Sequence, residues 1–199
     1  MKRSMFWMLA GVVLGLGAVV AVTLAQPYTV RGSAIEPPQP APAFTLTGQD
    51  GTPQGLGGAT GKVQLVFFGY TYCPDVCPST LGVMQQVLRR LGNDANKVDV
   101  IFVTVDPKRD TPEKLAGYLK AFDPRIRGLS GEEATLTPVW QAYGVYRAER
   151  AVDGDVNGYL VDHSARVYAI DAQGKLRATY PFGFSVDDLL SDVRFFLRG

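Results

Sequence analysis

Cysteine and histidine are almost missing from this chain. Its 199 residues contain two cysteines, Cys73 and Cys77, and one histidine, His163. Two cysteines cannot make a disulfide scaffold; they can make one disulfide or one thiolate pair. A lone histidine, with no peroxidase-type motif around it, gives a peroxidase little support. An excess of either charge is missing too. Lysine and arginine total 20 against 19 aspartate and glutamate, so nothing points to nucleic acid as a partner. There is no internal repeat, and no proline from Val139 to Tyr180, although the chain has 13. What is present is 46% hydrophobic and 20% charged, the balance of a globular protein with length for one ordinary domain and an appendage.

Acid is absent from the first 25 residues, where Lys2 and Arg3 are the only charges. Phe6 to Ala25 is a run of 20 uncharged residues, enough at about 1.5 Å per residue to cross a hydrocarbon core of roughly 30 Å. Residues 1–25 are therefore expected to form an N-terminal transmembrane helix in a bacterial-type cytoplasmic membrane. The basic pair keeps the N-terminus cytoplasmic and puts the rest on the extracytoplasmic, periplasmic side. A cleaved signal ending near Thr23-Leu24-Ala25 is the alternative, although the apolar run exceeds the roughly 7–15 residues usual for signals. Residues 26–42 include Gln26-Pro27 and Glu36-Pro37-Pro38-Gln39-Pro40-Ala41-Pro42. Proline at that density predicts an extended spacer.

The globular domain is expected over residues 43–199. Phe44-Thr45-Leu46 before Gly48-Gln49-Asp50-Gly51 reads as an opening hairpin. Val63 to Phe68 and Val98 to Val105 read as buried strands. Between them Leu81, Met84, Leu88 and Leu91 form one apolar helix face that Gly92-Asn93 stops. Strand, helix, strand at this spacing is a βαβ unit with parallel pairing. Thr111 caps a further helix that opens with Pro112. Leu136, Val139, Trp140 and Tyr143 mark another helix face. Gly154 to Gly158 reads as a polar loop, within a glycine- and charge-rich loop over 145–161 that leads to His163. Residues 166–170 and 176–180 form a hairpin, and a capped helix follows Ser185. The result is an α/β fold: a mixed sheet with helices on both faces. A cysteine pair after the first strand of the βαβ unit makes it thioredoxin-like.

Cys73-Pro74-Asp75-Val76-Cys77 lies at that strand–helix junction. Pro78 lacks an N–H, and its ring crowds the carbonyl four residues back, at Pro74. The expectation is an irregular loop over 73–77 and a helix from about Pro78. Both thiols then sit near a helix N-terminus, which favours thiolate. Three residues separate the cysteines, where the usual redox dithiol has two. His163 precedes the 166–170 strand, at the place where thioredoxin-like oxidoreductases carry a proline. Two thiolates and an imidazole make a soft, three-coordinate site that suits Cu(I). Cu(II) would call for an oxygen ligand as well, and Asp75 is near enough in sequence. Asp106 ends its strand at the edge where ligands gather in α/β sheets, which suits a group behind the metal ligands or a partner contact. Phe67, Phe68, Tyr70 and Tyr72 read as core and site wall. A structural disulfide is the plainest alternative for Cys73 and Cys77.

With Cys73-Pro74-Asp75-Val76-Cys77-Pro78, Val105-Asp106-Pro107-Lys108-Arg109-Asp110-Thr111-Pro112 and Asp162-His163-Ser164 in this order, the chain resembles the Sco/SenC family. Those proteins are membrane-anchored, thioredoxin-like copper chaperones for cytochrome c oxidase. The resemblance implies that Cys73, Cys77 and His163 bind copper, and that Asp106 sits near the site and matters for transfer. It implies a client, the dinuclear copper centre of oxidase subunit II. A periplasmic copper donor and a thiol reductant are the other expected partners, since copper loads only once a Cys73–Cys77 disulfide is reduced. The chain is thus expected to be a metallochaperone and not an enzyme. The enzymatic rival is a thiol–disulfide oxidoreductase that reduces client cysteines.

Overall fold

A computed structural model of the chain describes residues 28–152 and 158–198. The expected transmembrane helix lies outside the described residues. Among those, no helix is long and apolar enough to cross a membrane.

The sheet is organised around Val63–Gly69, every residue of which is buried. We label the strands β1 (Ser33–Pro40), β2 (Phe44–Gly48), β3 (Pro53–Leu56), β4 (Val63–Gly69), β5 (Val98–Thr104), β6 (Ile126–Ser130), β7 (Arg147–Ala151), β8 (Tyr159–His163), β9 (Arg166–Ile170) and β10 (Lys175–Pro181). The helices are α1 (Val76–Leu91), α2 (Pro112–Leu119), α3 (Glu133–Ala142) and α4 (Val186–Phe196). Eight strands form one mixed sheet in the order β1-β10-β9-β4-β5-β6-β2-β3. β4 and β5 run parallel, with Val63 opposite Val98 and Gly69 opposite Thr104, and β5 runs parallel to β6. β9 lies antiparallel on the other side of β4.

Period-two alternation sends Phe67 and Phe68 to opposite faces. Phe67 meets Phe102, which in turn meets Tyr118 of α2. Phe68 meets Tyr143, just past α3, and Tyr168. Both faces are therefore covered. That is why β4 and β5 read as continuous apolar runs. α1 and α4 pack together, and Thr111 and Ser185 cap α2 and α4 as expected. The α/β, thioredoxin-like reading holds.

Four expectations need correcting. Residues 33–40 are not spacer but β1, the edge strand, antiparallel to β10. Its register shifts between Ala34 and Gln39, where Pro37 and Pro38 lie; proline, lacking an N–H, survives in sheets at edges and bulges. β6 completes the parallel set where only helices were expected. The segment before His163 is not merely a loop: β7 and β8 pair in a separate two-stranded sheet, with Arg147 opposite His163. Finally, α1 begins at Val76, not Pro78. The first three helical N–H groups have no intrahelical acceptor, so a proline at the third position forfeits nothing. Pro74, four residues before it, lies outside the helix, so its carbonyl is not held in the path of the ring.

At the N-terminal end of the described chain, Asp192 of α4 is fully buried. It accepts hydrogen bonds from Tyr28 Oη (2.5 Å), the Arg31 and Gly32 amides and Tyr180 Oη (2.6 Å). Tyr28 also stacks on Phe195, with ring centres 4.3 Å apart.

Candidate metal centre

β4 delivers the chain to the site at Gly69, and α1 leads it away. Gly69 is needed for close approach: a Cβ there would stand 3.0 Å from Cys77 Sγ and 2.8 Å from Phe102 Cε2. Asp110 staples the loop between β4 and α1. Its carboxylate is buried and accepts from Thr71 Oγ1 (2.6 Å), the Thr71 amide and Thr104 Oγ1 (2.7 Å).

Asp75 is the N-cap residue of α1, yet its side chain accepts no capping bond and takes the Ser79 hydroxyl instead (3.1 Å). Cys73 fills that role. The Cys77 amide, free because it lies in the first turn, donates to Cys73 Sγ at 3.4 Å. Both cysteines are free thiols; Cys73 is half-buried and Cys77 fully buried. The pair divides its acidity. Cys73 is lowered to about 5, first by the hydrogen bond from the Cys77 thiol, then by the Cys77 and Asp75 amides, with His163 adding a smaller pull. Cys77 is pushed well up, because it donates that hydrogen bond, is desolvated, and faces the Cys73 charge. The opposite shifts make Cys73 the thiolate of the pair and Cys77 the thiol near neutral pH.

His163 is the last residue of β8. With Cys73 it lines a cavity of ≈ 220 Å³ whose walls include Tyr70, Asp75 and Val161. The Tyr70 ring meets the imidazole edge-on, with centres 5.7 Å apart. His163 Nδ1 lies 3.2 Å from the Val161 carbonyl. A neutral imidazole that donates Nδ1–H to that carbonyl carries its lone pair on Nε2. Nε2 is buried and has no hydrogen-bond partner among the described residues. Among those residues, no three Cys, His, Asp or Glu side chains stand together as a formed metal cluster. The cysteines are in contact, and the imidazole lines the same cavity as Cys73.

Asp75 and Asp106 separate in character. Asp75 is exposed and lines the cavity. Asp106 is fully buried and does not line it. Its carboxylate accepts from Arg109 Nε and Tyr159 Oη (2.8 Å), and Arg109 Nη1 donates to the Tyr159 carbonyl (2.9 Å). The Arg109 guanidinium lies 3.7 Å from the Tyr159 ring centre and 4.7 Å from that of Tyr72. Tyr159, Arg109 and Gly69 were not singled out in the sequence. Tyr159 and Arg109 stand 50 residues apart, and no local pattern links them. A larger hollow of ≈ 490 Å³ beside Pro107, Thr111 and Ser130 contains neither thiol nor imidazole, so it offers a soft metal nothing.

This architecture recurs in known proteins. The SCO1/SenC family model matches residues 33–198. A SCO2-like protein of Rickettsia felis is 37% identical over 158 residues, spanning 78% of this chain and 74% of its own. The structure of Bradyrhizobium japonicum ScoI with copper bound is 40% identical with a TM-score of 0.71, covering 79% of this chain and 99% of that one. The solution structure of apo Sco1 from Thermus thermophilus is 36% identical with a TM-score of 0.75, covering 85% and 98%. Residues 33–198 comprise nearly everything the structure describes, cysteine loop, imidazole and buried aspartate included, and on that match the chain belongs to the SCO1/SenC family.

Proposed function

We propose that this protein is a membrane-anchored copper chaperone. It binds one copper ion through Cys73, Cys77 and His163 and delivers it to the dinuclear copper centre of cytochrome c oxidase subunit II. One observation carries the reading: Cys73, which accepts a hydrogen bond from the Cys77 amide, shares a cavity with His163, whose Nε2 is buried and without a partner among the described residues. The copper held by the Bradyrhizobium relative supports it. Cys73 is the ready ligand. Cys77 must release its proton as it binds, so loading near neutral pH frees about one proton per ion. His163 completes the set once the ring swings its Nε2 onto the ion. Transfer proceeds by ligand exchange: an incoming thiolate reaches half-buried Cys73 first, and buried Cys77 lets go last. Residues 1–25 hold the domain to the membrane on its extracytoplasmic side, where a copper donor and a thiol reductant supply and reset it.

X-ray absorption on the reduced, full-length protein loaded with one Cu(I) tests this. Two sulfur neighbours and one nitrogen are expected. His163→Ala should remove the nitrogen and weaken affinity; unchanged affinity would end the three-ligand reading. A second reading, a thiol–disulfide oxidoreductase acting on client cysteines, draws on the divided acidity. Half-exposed Cys73 would attack a client disulfide and Cys77 would resolve the mixed disulfide, leaving a Cys73–Cys77 disulfide for the reductant. It requires copper-free protein to turn over disulfides with His163 dispensable.

A further inference from the structure

The β7–β8 hairpin is not part of the main sheet, so no shared ladder runs along β8. Past His163 the chain rejoins the main sheet, where the Phe182 amide donates to the Ala165 carbonyl (3.1 Å). At the other end of β8, side chains set its place. Alternation puts Tyr159, Val161 and His163 on one side of β8. Val161 is 3% exposed, so that side is the one turned to the domain. Tyr159, the first residue of the strand, is gripped twice, at its hydroxyl by Asp106 and at its carbonyl by Arg109. Asp106 binds the Arg109 Nε as well, which joins the three residues in one connected unit. The unit is shielded: the Asp106 side chain is fully buried and that of Arg109 is 13% exposed. Tyr70 carries it through to the imidazole, standing 5.9 Å from the Arg109 guanidinium and edge-on to His163.

We propose that Asp106 and Tyr159 are positioning residues that clamp the start of β8 and so hold His163, four residues on, at the wall of the Cys73 cavity. The inference rests on the copper reading and deepens it. Asp106 then governs metal binding without touching metal. Its carboxylate oxygens face Arg109 and Tyr159, and it contributes nothing to the cavity wall, so it is not itself a ligand. Other contacts fasten β7: Lys108 to Glu149 (2.8 Å), and Arg147 to the Val105 carbonyl (2.8 Å) and to Glu133 (3.1 Å). At the described start of β8, Asp106 and Arg109 provide the polar grip.

The test uses the reduced full-length protein in detergent micelles, with Tyr159→Phe as the variant and Tyr180→Phe as control. Tyr180→Phe deletes a phenol–carboxylate bond of the same kind, to Asp192. The chain has one histidine, so the imidazole protons give unambiguous resonances. In copper-free protein, Tyr159→Phe should remove at least half of the ring-current shift that Tyr70 imposes on His163, and the control should remove none. The Cu(I) dissociation constant should rise about tenfold in Tyr159→Phe, the effect of losing one hydrogen bond to a charged group, and stay within twofold in the control. The proposal is overturned if Tyr159→Phe leaves both readouts at wild-type values, or if the control moves them equally, which would make the effect one of stability. If His163→Ala leaves Cu(I) affinity intact, the three-ligand copper reading fails, and the His163 resonances of copper-free protein still decide the clamp.

Discussion

Acidity at Cys73 can be tested by following alkylation with iodoacetamide against pH in the reduced, copper-free protein, mapping each cysteine by mass. An ordinary thiol ionises near 8.5, and Cys73 is lowered to about 5. At pH 7 a free thiol is only about 3% thiolate, while Cys73 is almost fully ionised. The rate at pH 7 is nevertheless a poor discriminator. Intrinsic nucleophilicity falls with pKa at a Brønsted slope of about 0.4–0.5, so the shift costs Cys73 roughly 40-fold in reactivity. The two factors nearly cancel, and near-parity with a free cysteine is expected. At pH 5 they do not cancel. Half of Cys73 is thiolate there against roughly 3 in 10,000 of a free thiol, which leaves Cys73 roughly 40-fold faster. Its rate should therefore plateau by about pH 6, while buried Cys77 stays silent to well above 9. Cys77→Ala removes the main stabiliser of the thiolate and should move the Cys73 midpoint up; Cys77→Ser keeps a donor and should move it less. A wild-type midpoint near 8.5, or Cys77 reacting first, would refute the assignment. The linkage follows with a definite sign. The folded pKa lies below the unfolded one, so this ionisation adds stability that is complete above the ordinary thiol range and is lost as pH falls through about 5.

Gly69→Ala pushes a methyl to 3.0 Å from Cys77 Sγ and 2.8 Å from Phe102, and overpacking of this kind costs about 1–3 kcal/mol in urea unfolding. An unchanged midpoint would mean that β4 and α1 slide apart freely. Asp192→Ala strands the Tyr28, Arg31, Gly32 and Tyr180 donors and should cost roughly 2–4 kcal/mol, with trypsin gaining access at Arg31 before the rest of the domain. Wild-type resistance at Arg31 would show that the carboxylate is not what holds the segment.

Much of the fold was legible because periodicity reports burial. β4, β5 and α1 announce themselves by apolar runs and a helical face, and Thr111 and Ser185 by capping chemistry. The misses share a cause: partners distant in sequence overrode the local pattern. In β6, Arg127 and Gly128 break the apolar alternation, yet Gly128 is required because a Cβ there would meet Leu119 Cδ1 at 2.7 Å. β7 carries Arg147, Glu149 and Arg150 and is held by ion pairs that hydropathy does not register. β1 hides behind prolines that only an edge tolerates. At the site, residue type alone was enough to single out Cys73, Cys77 and His163. Asp106 was noticed for its place at a strand end, but its meaning lies in Tyr159, 53 residues on. Asp75 was weighed as an oxygen ligand and is found as the N-cap residue of α1, with Ser79 on its carboxylate.

On the proposed anchoring, the carboxylate of Asp192 also sets how far the domain can travel. A spacer spanning residues 26–42 would have given it a leash of about 50 Å. Instead the chain is fastened from Tyr28 onward, three peptide links beyond Ala25, where the proposed span ends. Three links stretch to no more than about 11 Å. With residues 1–25 in the membrane as proposed, a carrier on so short a leash would not range through the periplasm for its client. It would skim the bilayer, and the encounter would become a search in two dimensions, with effective concentration set by how densely donor and acceptor populate the same membrane.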